Sequence, residues 1–487
     1  MSRILIAAAM LCVWAASAAG EPPIYPVKKT DEPKFSLLDE IMKIPPLKHD
    51  LGGRWPMIMW EGVSFEPQPA EVYQALLARG LTQHIRLDAK MIETAKCLQA
   101  AGSPVIMMQG AGGPFGYDQG PDWQHRFDAG YEPWKPDSWW PSGRACWAIF
   151  EGWQINADRL RDTLRQFKAA RVTVDAVWMD WEGEPSSSGS EGAWQNARHC
   201  SRCRQTLPPA VLADYPLWPG YCKRLSLELH GCYLVAPVRE IFPACSVTNW
   251  MAVISTPERP VLGWRDTVVP PCMPCMFTAT NPVAYGNDVF FKVAWKQSYK
   301  LDREHVDQFY MHLLLREISA NQANAARYAP QVKAVPWVAR FCPDAADPTI
   351  PMISRGRYRE SLRHIWLRGC DAMQIFQPAR PGYMDIVIGE VQDAVAVYDE
   401  MLAYREFLDK GEVLNTDTPA VQGDGVVWSG LRLGDRAIVR TFKQGGGSAK
   451  ITIEPFPGKK IKLRATAEGE MHLLAAKDGT KIEEIDQ

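Results

Sequence analysis

The chain has 487 residues, 46% of them apolar or aromatic and 23% charged, with a formal net charge of −2. That length accommodates one large domain and a smaller one, in the composition of an ordinary globular protein. The balanced charge leaves no basic footprint, which excludes nucleic acid and anionic membrane surfaces as partners on electrostatic grounds.

Residues 1–20, MSRILIAAAMLCVWAASAAG, combine Arg3, a short apolar run and small residues around Ala16–Ala18. This is the pattern of a secretory signal peptide, too short in its apolar part to span a bilayer. The mature chain is therefore expected to be secreted or periplasmic, with no membrane partner after cleavage. Residues 21–50, rich in Pro and Lys, read as an extended lead-in.

A repeating pattern then begins. Short apolar runs at 56–60 (PMIMW), 84–88 (HIRLD), 104–110 (PVIMMQG) and 174–185 (VDAVWMDWEGEP) alternate with helical spacing, including 156–171 with Asn156 as the expected N-cap. Further runs at 245–253, 274–282, 333–341 and 371–378 follow, separated by helical stretches at about 219–242 and 303–328. Eight such runs predict a parallel sheet of repeated β-α units, a (β/α)8 TIM barrel over residues 51–410. The alternative, a doubly wound open sheet, lacks a Gly-rich phosphate loop after its first strand, and no cofactor is expected. Residues 411–487 change to alternation of apolar and polar positions between Gly/Asp turns, the pattern of a small antiparallel, sandwich-like β domain.

The fourth run ends in a crowd of carboxylates: Asp180, Glu182 and Glu184, with Asp175 behind them. In a TIM barrel, chemistry is built at the carboxyl ends of the strands. Strand alternation puts Trp178, Asp180 and Glu182 on one face, with Trp181 between the acids facing the helix layer or the strand edge. Like charges so placed raise one another's pKa, which keeps one acid protonated while its neighbour stays ionised.

The stretch DAVWMDWE resembles the fourth-strand motif of chitinase-like glycoside hydrolases, Asp-Gly-x-Asp-x-Asp-x-Glu, and the shorter Asp-Trp-Glu strand of hyaluronidases. Asp175, Asp180 and Glu182 fall at matching offsets; Trp178 replaces the middle Asp of the chitinase pattern. The resemblance implies a carbohydrate substrate and a barrel fold. It assigns Glu182 as proton donor to the glycosidic oxygen and Asp180 as the residue that orients a substrate 2-acetamido group acting as nucleophile, an exception to the two-carboxylate scheme.

A long segment, Ala111 to Gln154, carries Trp123, Trp134, Trp139, Trp140, Trp147 and Trp153, of which some are expected to line a sugar cleft and the rest to form a satellite core. Other strand ends supply candidate substrate contacts: Trp60 and Glu61, Asp88, Asn249 and Trp250, Tyr285 and Gln377, with Trp181 added from the fourth. An inverting enzyme pairing Glu182 with Glu61 or Asp88 stays open, as does a non-catalytic carbohydrate-binding barrel. The nine histidines are scattered, with none at a strand's carboxyl end, so no catalytic metal is expected.

Twelve cysteines include two Cys-x-x-Cys pairs, Cys200/Cys203 and Cys272/Cys275. Such pairs can be half-sites of a structural zinc; the expectation of export favours disulfides instead.

Overall fold

The computed structural model describes residues 36–60, 66–109, 125–134, 146, 148, 150–180, 189–250, 252–256, 258–259, 267–269, 277–285, 305–340, 351–376, 382–421, 423–477 and 481–485. The class is α/β: an eight-stranded parallel sheet of TIM-barrel type with intervening helices, followed by antiparallel β sheets. The chain divides into two compact units, Pro56–Val283 with Ala323–Pro336, and the remainder. No described helix is long and apolar enough to cross a membrane.

In the first unit, β1 (Met57–Met59), β2 (Leu81–Arg86), β3 (Ile106–Met108), β4 (Ala176–Met179) and β5 (Ser246–Asn249) lie side by side in sequence order. Their registers pair Ile58 with Thr82, His84 with Ile106, Ile106 with Ala176 and Trp178 with Thr248. The strands read as near-continuous apolar runs because both faces are covered, one by neighbouring side chains of the sheet and one by helices. Between them run α1 (Ala70–Leu77), α2 (Ile92–Ala100) and α3 (Phe150–Ala169).

Helix α3 starts six residues before the cap expected at Asn156. The cause is an apolar stripe at spacings of three and four, Trp153, Ala157, Leu160, Leu164 and Phe167, all buried. Each large member of such a stripe contributes about 1.5–3 kcal/mol on burial, so the stripe extends the helix past the polar residues Glu151 and Gln154. Beyond β4 come α4 (Glu191–Arg198), α5 (Ser201–Thr206), α6 (Trp218–His230), a π-helical turn (Gly231–Val235) and α7 (Ala236–Ile241).

In the second unit, Trp337–Ala339 pairs in parallel with Gln374–Ile375, and α8 (Arg355–Trp366) and α9 (Met384–Leu402) pack together through the stacked rings of Trp366 and Tyr398, 4.6 Å apart. From Glu412 to Glu484 the strands are antiparallel, around a core of Ala437, Val439, Ile453, Phe456, Leu463 and Leu474. Ser448–Phe456 and Lys459–Thr466 form a hairpin whose turn is Pro457–Gly458, Gly458 having φ +72° as the second central position of a type II turn requires.

Helix α8 is tied to these strands by a buried ionic network. Arg440 donates to both oxygens of Glu360 at 2.8 and 2.7 Å, Arg363 donates to Glu360 at 3.1 Å, and Ser429 Oγ meets His364 Nδ1 at 2.9 Å and Arg368 Nε at 3.1 Å. Burial alone would raise the Glu360 carboxyl; the bonds to His364 and Arg440 outweigh it and hold the group well below the usual carboxylate range.

The lead-in expected to be extended contains a helix at Leu37–Met42, where Ser36 Oγ accepts the Asp39 amide at 3.2 Å. A Ser cap followed by apolar Leu37 and Ile41 was the local signal that Pro and Lys content obscured. Residues 1–35, including the expected signal peptide, lie outside the described residues.

Candidate functional site

Asp180 directly follows β4 and is buried at 6% exposure, its amide donating to the Gln109 carbonyl at 3.0 Å. A carboxylate is thus held at the carboxyl end of the fourth strand, where the barrel architecture places chemistry. Below it on the same face lies Trp178, whose indole N–H donates to Ser246 Oγ at 3.1 Å. His84 of β2 stands edge-on between two indoles, its ring centre 6.0 Å from Trp60 and 6.4 Å from Trp178, with interplanar angles of 89° and 80°. Trp60, His84 and Trp178 form a buried aromatic layer beneath Asp180's strand end.

His84 lies before the strand's carboxyl end, outside the positions where the sequence alone points to a site residue. Its signal is period two: Thr82, His84 and Arg86 put polar side chains at alternate positions on one face of the strand, while the other face carries Leu81, Gln83 and Ile85.

The other candidates divide. Asp88 is exposed and caps the short 3₁₀ turn Ala89–Met91, its carboxylate accepting the Lys90 amide at 2.9 Å. Asp175 sits at the opposite end of β4 from Asp180 and accepts the Val105 amide at 2.8 Å; burial pushes its carboxyl up, and that bond opposes the rise. It is a brace between β3 and β4. Asn249 pairs in register with Met179, one position out of phase with Asp180, and its side chain meets His230 Nε2 of α6 at 3.4 Å. It therefore faces the helix layer rather than the Asp180 face, a correction to its expected role.

Trp250 follows at the end of β5, nearly buried, with its amide on the Met179 carbonyl at 2.8 Å. Tyr285 belongs to the second unit, where its ring stacks on Phe376 at 4.5 Å. Glu61, Trp181, Glu182 and Gln377 lie outside the described residues.

Of the six tryptophans expected in the long segment, Trp153 is core: it lies on α3, 2% exposed, edge-on to His230 at 5.5 Å. Trp134 is 40% exposed and lies flat on Gly192 of α4, so close that a Cβ there would fall 2.3 Å from the ring. Its backbone is clamped by Asn196, whose side chain accepts from the Trp134 amide at 3.0 Å and donates to the Trp134 carbonyl at 2.9 Å. Trp123, Trp139, Trp140 and Trp147 lie outside the described residues.

The eight described cysteines are all free thiols, so the disulfides expected from export do not occur among them; Cys272 and Cys275 lie outside the described residues. Three thiols converge instead. Cys146 Sγ lies 3.7 Å from Cys200 Sγ and 3.6 Å from Cys203 Sγ, and His125 Nδ1 lies 3.7 Å from Cys203 Sγ. Crowding sets the thiols apart: Cys146 is pushed up to about 12, chiefly by Cys200, while the bonds from Cys146 and Cys203 hold Cys200 down.

No family model matches the chain, and no curated protein does. Among solved structures, the chain is similar to an α-amylase from Anoxybacillus (11% identity, TM-score 0.45, covering 87% of this chain and 98% of that one). It is also similar to a Nostoc punctiforme debranching enzyme (10%, 0.46, 89% and 100%). A third is a GH30 endoxylanase from Clostridium papyrosolvens (8%, 0.37, 91% and 95%). At these identities and TM-scores none supplies a residue correspondence.

Proposed function

We propose that this chain is an exported glycoside hydrolase that acts on a 2-acetamido sugar by substrate assistance. The observation that carries the reading is Asp180: a buried carboxylate at the carboxyl end of β4, above an aromatic floor, immediately followed in sequence by Trp181–Glu182. In this reading Glu182 protonates the leaving glycosidic oxygen, and Asp180 orients the acetamido group and balances the charge that develops as its carbonyl oxygen attacks the anomeric carbon. In this reading the Asp180 carboxylate, already buried and placed at that point, needs no reorganisation during the reaction. The inverting alternative loses one of its two partners, since the Asp88 carboxylate is engaged as a helix cap in an exposed position.

The test is hydrolysis of matched aryl glycosides, with and without the 2-acetamido group, by wild type, Glu182→Gln and Asp180→Asn. General acid–base assistance contributes about 10²–10⁴-fold, so Glu182→Gln is expected to fall by that factor on substrates with poor leaving groups. Asp180→Asn should be impaired only on the acetamido sugar. Equal wild-type rates on both sugars reject substrate assistance, and an unimpaired Glu182→Gln enzyme rejects the assignment of the acid.

A further inference from the structure

We infer that His125, Cys146, Cys200 and Cys203 form a closed tetrahedral metal site, and that the metal is zinc. All four ligand atoms lie within 4.8 Å of one another, and the three sulfurs are buried. A tetrahedral zinc with Zn–S of about 2.3 Å and Zn–N of about 2.0–2.1 Å separates sulfur from sulfur by about 3.8 Å and sulfur from nitrogen by about 3.6 Å. The separations found, 3.7 and 3.6 Å between sulfurs and 3.7 Å from sulfur to imidazole, are those edges. A disulfide would need its sulfurs at about 2.05 Å.

The donor set selects the metal. Three soft thiolates and one imidazole in tetrahedral array suit zinc, whereas calcium and magnesium take oxygen ligands in larger number. Four protein ligands leave no open position, so the site is structural. Any proton that the three thiols still carry is released to solvent on binding, and the three thiolates carry the bonds to the metal.

The surroundings are built for it. The Arg126 amide donates to Cys200 Sγ at 3.3 Å, an outer contact that spreads the thiolate's charge. The His125 ring is oriented by stacking on Phe127, with centres 5.2 Å apart. Phe127 and Cys200 form an antiparallel bridge, flanked by Ser201 N–H to Arg126 O at 2.9 Å and Asp128 N–H to His199 O at 3.0 Å. Trp194, Trp218, Leu207 and Val211 pack around the sulfurs as a satellite core.

The ligands come from two separate connections. His125 and Cys146 lie between β3 and α3; Cys200 and Cys203 lie after β4, the latter on α5. Both connections leave carboxyl ends of neighbouring strands, so the metal staples together two loops flanking the strand end that holds Asp180. This assignment stands independently of the glycosidase reading.

The experiment is elemental analysis of the full-length protein, purified without chelator or metal-affinity resin. About one zinc per chain is expected, released by a thiol-specific mercurial, and retained in Cys97→Ser. Cys146→Ser/Cys203→Ser should lose it. Because that variant can fail to fold, wild type is also exchanged with Co(II), for which thiolate charge-transfer and tetrahedral d–d absorption bands are expected. Protein that takes up neither zinc nor Co(II) overturns the proposal, as does a disulfide among Cys146, Cys200 and Cys203 by mass spectrometry. Undiminished zinc in the double variant overturns it as well.

Discussion

The thiol cluster between the β3 and β4 connections and the ionic junction between α8 and the C-terminal strands solve the same problem in opposite ways. Each joins chain segments that are far apart in sequence. At the junction the protein supplies both signs of charge, so Glu360 and its partners Arg440 and Arg363 compensate one another inside the fold. At the cluster four electron-pair donors converge, and the complementary positive charge has to come from outside. The first device is fixed when the chain folds; the second depends on what the compartment provides.

Breaking the junction is expected to have the largest effect. Glu360→Ala leaves Arg440 buried, at 7% side-chain exposure, without its main partner, and loss of one member of a buried pair costs about 3–5 kcal/mol. Urea unfolding measures it, and a chelator should leave the difference between wild type and variant unchanged. Replacing Glu360 and Arg440 together by Leu and Met should cost far less than either single change. A double variant as unstable as the sum of the singles would show that the pair acts independently.

Asn196→Ala addresses the other region. Truncation removes both bonds to Trp134 and the 2.9 Å bond from Tyr131 Oη, and each group left unsatisfied costs about 1–3 kcal/mol. Trp134's indole fluorescence should shift toward that of a solvent-exposed ring, and an unchanged spectrum would show that Gly192 contact alone holds it. Trp178→Phe removes the bond to Ser246 from a buried aromatic site, an expected loss of about 1 kcal/mol plus the smaller ring's cavity.

Acid should act on the junction in two steps. His364 is fully buried, and burial holds its pKa down against the pull of Glu360. A His with a depressed folded pKa contributes stability that is present above its unfolded value, about 6.5, and is lost as the pH falls below it. Glu360, also depressed, adds stability present above about 4.3 and lost as the pH falls further. Denaturant midpoints measured from pH 7.5 to 4 should therefore fall first near 6.5, and His364→Asn should flatten that first step. A midpoint that does not move between pH 7 and 5.5 contradicts it.

Seven of the eight runs carry a strand of the eight-stranded sheet because burial on both faces writes an apolar run; the sixth, 274–282, holds only Ala279–Thr280, which pairs with Lys333–Ala334 in a separate sheet, and the sheet takes Val283–Tyr285 instead. What a run does not contain is the register of its neighbour. Asn249 looked equivalent to Asp180 at a strand end, and only its pairing with Met179 shows that it lies one residue out of phase. The start of α3 was missed because Glu151, Gly152 and Gln154 dilute the apolar spacing that begins at Trp153. Half of the thiol cluster was visible as Cys200-x-x-Cys203. The other half lies 54 residues before Cys200, at Cys146, with His125 earlier still, a proximity that only the fold creates.

The π turn between α6 and α7 makes the whole segment from Trp218 to Ile241 behave as a gear with one extra tooth. There the Ala236 amide reaches back to the Gly231 carbonyl, one residue further than an α-helix allows. Deleting one residue from Gly231–Val235 would make that same bond an ordinary i→i−4 one and leave buried Pro237, Val238 and Ile241 facing as they do, whereas forcing α-helical bonding with all five residues kept would rotate them by about 100°. The turn is therefore a place where chain length can change by one residue while the packed face beyond it stays where it is.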